Sequence, residues 1–188
     1  MQPANLAAWQ RGCQYSGMQN PTHRVAVLVL IAFAVACASA PTPAPTPLLK
    51  VGASVAAVTL FDQNDVPHEI DASVGIIFFA REMEGGAVIR ELLEAEGPDY
   101  LTKTRALYVA DISGMPRLIA KLVAIPKMRK ERLYPTLLDR DGSTTAPYPS
   151  EQGRVTIMAL DKLRVTALHY PDSVAGMRDA LAEIAASR

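Results

Sequence analysis

The densest grouping of reactive side-chain types is Arg81-Glu82-Met83-Glu84-Gly85-Gly86, directly behind the apolar run Val74 to Ala80 (VGIIFFA). Two carboxylates this close could divide acid and base work between them if one were held neutral. They also stand where a helix should begin, and there the helix dipole favours negative charge, so capping or plain solvation is the expectation. Gly85-Gly86 would let an anion approach backbone N–H groups at a helix start. No phosphate-loop or dinucleotide pattern surrounds the pair, however, and the glycines are expected to tighten the strand-to-helix turn. No serine stands in a nucleophile elbow, so no catalytic residue is nominated.

Other groupings are weaker. His23, His68 and His169 are too far apart in sequence to suggest converging metal ligands, and no metal or cofactor is expected. Asp139-Arg140-Asp141-Gly142 has the opening of a calcium loop, but Ser-Thr-Thr-Ala-Pro follows without the later carboxylate, which leaves a turn. Lys127, Arg129, Lys130 and Arg132, interrupted by Glu131 and beside Met128 and Tyr134, form the densest basic run. Such a run can meet an acidic partner or lipid head groups; a solvated helix face is the plainer expectation. The two cysteines, Cys13 and Cys37, both precede the expected domain, which excludes from it a disulfide framework, a Cys-rich zinc site and a dithiol centre.

The elements that must position these groups belong to one domain. A chain of 188 residues with 49% hydrophobic and 20% charged residues can bury one core of ordinary size. Nineteen Lys and Arg balance nineteen Asp and Glu, so no net field gathers nucleic acid, and a dedicated nucleic-acid binder is excluded.

Residues Val25 to Ala36 (VAVLVLIAFAVA), behind His23 and Arg24 and ahead of small residues, have the grammar of an export signal. The run reaches only Ala40 before Pro41, short of the roughly 20 apolar residues of a spanning helix, which makes a retained anchor the weaker reading. Ala34-Val35-Ala36-Cys37 resembles a bacterial lipobox, with Ala34 where Leu, Val or Ile is usual. In that reading Cys37 becomes the lipid-bearing first residue. The rival is signal-peptidase cleavage after Ala36-Cys37-Ala38, which leaves a soluble exported protein. Residues 1–17 lack the features of a signal's start, whereas Met18 opens one as MQNPTHR. We therefore expect translation from Met18, and a peptide from residues 1–17 in cellular mass spectra would refute this. A signal over 18–36 is followed by a Pro-, Ala- and Thr-rich tether over 37–47, expected to be extended and solvated. Loss of the leader removes Arg11 and Arg24, leaving seventeen basic side chains against nineteen acidic, a net charge of about −2.

From 48 to 188 strands alternate with helices, the pattern of an α/β domain with a mixed sheet. Strands are expected at 57–62, 66–70, 74–80, 104–111 and 136–139. Val155 to Leu160 and Leu163 to Tyr170 are expected to form a hairpin without a turn glycine. Helices are expected at 84–96 and from Ser113 onward, where Leu118, Ile119 and Leu122 would face the sheet until Pro126 kinks or ends the helix. Asp172 or Ser173 would cap the last helix, with Val174, Met177, Leu181 and Ile184 as its apolar stripe.

Strand, helix, strand, helix, β-hairpin, helix is an order similar to that of the thioredoxin fold. The phrases LKVG, VTLFDQNDVPHEI, IIFFA, YPTLLDRDG and RVTIMALDKLRV resemble, in order, phrases of its peroxiredoxin and TlpA-like branch, closest to YtfJ-like exported proteins. The resemblance implies a central mixed sheet flanked by helices, an N-terminal strand extension and a C-terminal hairpin plus helix. It also implies Cys-X-X-Cys after IIFFA, where a helix N-terminus stabilises a thiolate. This chain has Met83 and Gly86 at those positions, and Val155 where the family places a cis proline. A non-proline cis bond costs roughly 3 kcal/mol, so trans is expected.

Two functions follow. In the first, the family's groove survives as a binding surface for an envelope protein or peptide, and by the resemblance alone its residues are Met83, Glu84, Gly85, Gly86, Arg154 and Val155. In the second, a thiol-dependent antioxidant or oxidoreductase works through Cys37 or a partner's cysteines. Disulfide exchange needs an attacking sulfur, which a thioether does not replace.

Overall fold

The computed structural model describes residues 46–187. The expected leader, Cys37 and the tether up to Pro45 lie outside the described residues, as do residues 1–17 and Arg188.

β1 (Val58–Asp62) and β2 (Pro67–Ile70) form an antiparallel hairpin, the expected N-terminal extension. Its turn is held by Asp62, whose Oδ1 accepts the N–H groups of Asn64 at 2.7 Å and Val66 at 3.0 Å. β3 (Ile76–Ala80) is buried along its whole length because it is apolar on both faces. It pairs in parallel with β4 (Ala106–Asp111), which pairs in parallel with β5 (Leu137–Asp139). β6 (Thr156–Asp161) and β7 (Arg164–His169) form the expected C-terminal hairpin, β6 lying antiparallel to β3. The seven strands make one mixed sheet in the order β2-β1-β5-β4-β3-β6-β7. Parallel neighbours need crossovers. α1 (Met83–Glu96) and the short α2 (Tyr100–Thr104) supply the first, and a helical segment α3, Arg117–Glu131, the second. α4 (Val174–Ala186) closes the domain, capped by Ser173, whose Oγ accepts the Gly176 N–H at 3.3 Å.

The strand period of two divides the core. Ile76, Phe78 and Ala80 meet Ile89, Leu92 and Leu93 of α1 and Met177, Ala180 and Ile184 of α4. Ile77 and Phe79 point to the other face, closed by Val55, Tyr148 and side chains of neighbouring strands.

Three expectations are corrected. β4 begins at Ala106 and not at 104, because Thr104 ends α2 with its hydroxyl on the Tyr100 carbonyl at 2.7 Å, and Arg105 turns the chain at φ 52°. Of the two outcomes expected at Pro126, a kink or an end, the end does not occur. Ahead of it the helix widens into a π-helical stretch, Ala120–Ala124, in which the Ile125 N–H reaches the Ala120 carbonyl, so the ring is absorbed without breaking the segment. Leu118, Ile119 and Leu122 do not face the sheet. They are 73%, 50% and 68% exposed, and Val123 is 59% exposed, because Ala120 and Ile125 are the residues α3 buries. At the β6–β7 turn, Lys162 and Leu163 take φ values of 48° and 69°, the twist a two-residue hairpin loop requires, without a glycine.

Gln63, next to the first turn, is buried and locks β1 to the approach to β5. Its Nε2 donates to the Tyr134 carbonyl at 2.9 Å and its Oε1 accepts the Thr136 N–H at 2.8 Å. Gln63→Leu leaves both backbone groups without these partners, and a loss of about 2 kcal/mol is expected in urea unfolding. An unchanged midpoint would show that this bridge contributes nothing.

Candidate functional site

Three parallel strands end side by side, and each is followed or closed by a charge: Arg81 after β3, Asp111 at the end of β4, Asp139 at the end of β5. Ligands of open α/β sheets bind outside such carboxyl ends. The Arg81 guanidinium donates to Asp111 Oδ2 at 3.1 Å, to Ser150 Oγ at 3.2 Å and to the Thr145 carbonyl at 2.9 Å. It lies 5.4 Å from the centroid of the Phe79 ring. Asp139 is buried and accepts the N–H groups of Gly142 at 3.0 Å and Thr145 at 2.7 Å. This net fixes the loop after β5 against the start of α1.

Burial works against ionisation of Asp111, but the Ser113 side chain and N–H, the N–H donating at 2.9 Å, together with the Arg81 guanidinium outweigh it and hold the carboxyl below its usual 3.8. A carboxylate with a lowered folded-state pKa stabilises the fold above its unfolded pKa and loses that contribution as pH falls through the folded value. Thermal melts across pH are therefore expected to show Asp111→Asn with a flatter acid limb than the parent. Its deficit should be largest near neutrality and shrink below pH 3.8. Parallel acid limbs would contradict the assignment.

Beside this net lies a groove of about 660 Å³ between the start of α1 and the inner side of α3. Met83, Glu84 and Gly86 line it, together with Tyr108, Met115, Met128 and Arg132. Met83, the first residue of α1, stands 83% exposed at its rim. Tyr108 is buried and its hydroxyl is only 3.2 Å from where a Cβ on Gly86 would stand. Burial pushes the Tyr108 phenol up, so at neutral pH it offers an O–H and not a phenolate. The Arg132 guanidinium lies 5.6 Å from the centre of the Tyr108 ring. The groove is thus an apolar trough of methionine and tyrosine with charged rims, suited to an extended peptide or side chain. Among the described residues no three His, Cys, Asp or Glu side chains stand together as metal ligands.

The structure brings four of the six residues assigned by resemblance to the same helix start but divides their roles. Gly85 is buried behind the groove, where a Cβ would come 2.5 Å from the Arg154 carbonyl oxygen. That close approach, and not the turn, is what requires a glycine. Val155 is fully buried in the helix-side core, its N–H bonded to the Pro171 carbonyl at 2.9 Å, and no cis peptide occurs among the described residues. Arg154 turns away: it donates to the Tyr170 carbonyl at 2.9 Å and pairs with Glu151 at 3.5 Å and Asp172 at 3.8 Å. Gly85, Arg154 and Val155 therefore support the groove without lining it. Glu82 does not cap α1; its carboxylate accepts the Gly153 N–H at 2.7 Å.

The other nominated groups are used structurally. His68 stands 3.3 Å from Asp62, and His169 stands 3.7 Å from Glu183. In the basic run, Arg129 bonds to Asp65 and the Gln63 carbonyl, while Arg132 bonds to Thr136 Oγ1 at 3.0 Å. Asp65 also accepts from Arg140 at 2.7 Å, and that bond, with Arg129 adding to it, lowers the Asp65 carboxyl.

No family pattern and no curated protein matches the chain. Solved structures do. A hypothetical protein from Sinorhizobium meliloti 1021 is similar at TM-score 0.52 and 16% identity, over 74% of this chain and 86% of that one. A candidate thiol:disulfide interchange protein DsbE from Chlorobium tepidum is similar at TM-score 0.50 and 13% identity, over 74% and 97%. The domain has the thioredoxin-like fold. Peroxidoxin BcpB from Mycobacterium tuberculosis is also similar, at TM-score 0.48 and 22% identity, over 74% of this chain and 99% of that one. In this thioredoxin-like domain the start of α1 presents a thioether and a glycine, and residues 46–187 contain no cysteine.

Proposed function

We propose that the chain is an exported protein, lipid-anchored through Cys37, whose thioredoxin-like domain binds a protein or peptide of the cell envelope without dithiol chemistry of its own. The observation that supports this best is the start of α1. A helix N-terminus faces a groove there, and by the resemblance Met83 and Gly86 stand where that family carries its reactive pair. A thioether cannot attack a disulfide, so what the geometry leaves is recognition. Methionine adapts to varied apolar partners and the charged rim fixes orientation, a combination that suits a peptide segment.

The test is photo-crosslinking in cells with a benzophenone amino acid in place of Met83, and a control at exposed Asp179 on α4. One discrete adduct from position 83, absent from 179 and lost when Ala87→Trp fills the groove, is the expected result. Identical adducts from both positions would remove the groove from the account.

A further inference from the structure

α3 carries a second surface that the groove does not use. Leu118, Ile119, Leu122 and Val123 form a run of exposed apolar side chains on its first half. The segment holds five cations, Arg117, Lys121, Lys127, Arg129 and Lys130, against the one acid Glu131. Arg129 is committed to Asp65, and Lys127 lies 4.0 Å from Glu131. Arg117, Lys121 and Lys130 form no ion pair among the described residues and are exposed. Apolar side chains interleaved with free cations on one helix are the composition of a helix that lies in a membrane interface.

We infer that this half of α3 docks on an anionic phospholipid surface, with Leu118, Ile119, Leu122 and Val123 entering the acyl boundary and Arg117 and Lys121 among the head groups. Charge decides the occupant. A second copy of the chain packed here about a two-fold axis would bring like cations together, whereas anionic lipid neutralises them. The bilayer itself comes from the anchor proposed above, and the inference rests on that reading. Ten residues, 38–47, separate Cys37 from the domain, a reach of up to about 30 Å were they extended, which keeps the domain beside the membrane that holds the anchor.

The mature protein, purified from its native membrane fraction and carrying Leu122→Trp as its one tryptophan once Trp9 has left with the leader, would be reconstituted into vesicles of phosphatidylcholine with phosphatidylglycerol and floated on a density gradient. Brominated lipids then report whether the introduced indole enters the bilayer. The expected result is flotation with blue-shifted, strongly quenched emission. Arg117→Glu with Lys121→Glu should weaken that quenching about fivefold per charge while flotation persists. Flotation with a solvent-like, unquenched indole overturns the docking surface and leaves the anchor standing. Equal flotation of Cys37→Ser overturns the anchor, and the quenching still decides the surface. No flotation overturns both. A blue shift without vesicles would show a second copy on this face and likewise overturn lipid docking.

Discussion

Gly85→Ala is expected to destabilise the domain by about 3 kcal/mol, the upper end for overpacking a site that cannot yield. For a domain of this size that is a fall in Tm of about 9 °C. The added methyl would stand 2.5 Å from the Arg154 carbonyl oxygen and 2.9 Å from its carbonyl carbon. Both are backbone atoms, and the peptide they belong to is held by the Val155 N–H on Pro171 and by the buried Val155 side chain, so it has no easy way to retreat. Gly86→Ala, one residue on, is the control. There the methyl meets only the Tyr108 hydroxyl at 3.2 Å, the tip of a side chain, and alanine's better helix propensity, worth about 1 kcal/mol, offsets the crowding. Differential scanning calorimetry of the two variants should separate them widely. Equal melting temperatures would mean that the Arg154–Val155 segment does not press on α1.

Met83→Cys with Gly86→Cys is expected to create a redox-active pair where the parent domain has none. Residues three apart on a helix have Cα atoms about 5 Å apart, inside the window of about 4.4–6.8 Å that a disulfide spans. The first thiol would sit at position 83, exposed and at the positive end of α1, so its pKa should fall below the free value of about 8.5. Glu82 and Glu84 oppose that fall, which should leave it smaller than in a site without flanking acids. The double variant should gain dithiothreitol-dependent insulin reduction, and the parent should show none. If both thiols stay free in excess oxidised glutathione, the start of α1 does not have the geometry of a dithiol site, and the argument from Met83 and Gly86 fails with it.

How far the sequence could be read depended on whether the deciding contacts were local. β3 was legible because VGIIFFA is apolar in both registers, and only a central strand tolerates that. The β6–β7 hairpin was legible from its two apolar runs, although the positive φ at Lys162 and Leu163 has no sequence mark. In α3 the pattern misleads for a physical reason: Leu118, Ile119 and Leu122 have helical spacing, but periodicity cannot say which of two apolar stripes is buried. The structure buries the stripe of small Ala120 and of Ile125 in the helix-side core. At the site, Met83, Glu84 and Gly86 could be placed from the helix start alone. Tyr108, Met115, Met128 and Arg132 line the same groove from elements more than twenty residues away, and only the parallel pairing of β3 with β4 brings them there. A local signal for part of the net did exist: Arg81, Asp111 and Asp139 each stand at the end of an apolar strand, the edge where an α/β sheet gathers its polar residues.

We hold that the mature protein carries no working thiol, and intact mass before and after iodoacetamide, on protein purified from its native membrane fraction, decides it. The expected species begins at Cys37, carries acyl groups and gains no mass on alkylation, with the acyl groups lost in Cys37→Ser. A chain beginning at Ser39 would remove the anchor and keep the domain thiol-free. A chain that retains an unmodified Cys37 and takes up the alkylating agent would contradict the claim and restore a thiol-dependent reaction as the reading to pursue.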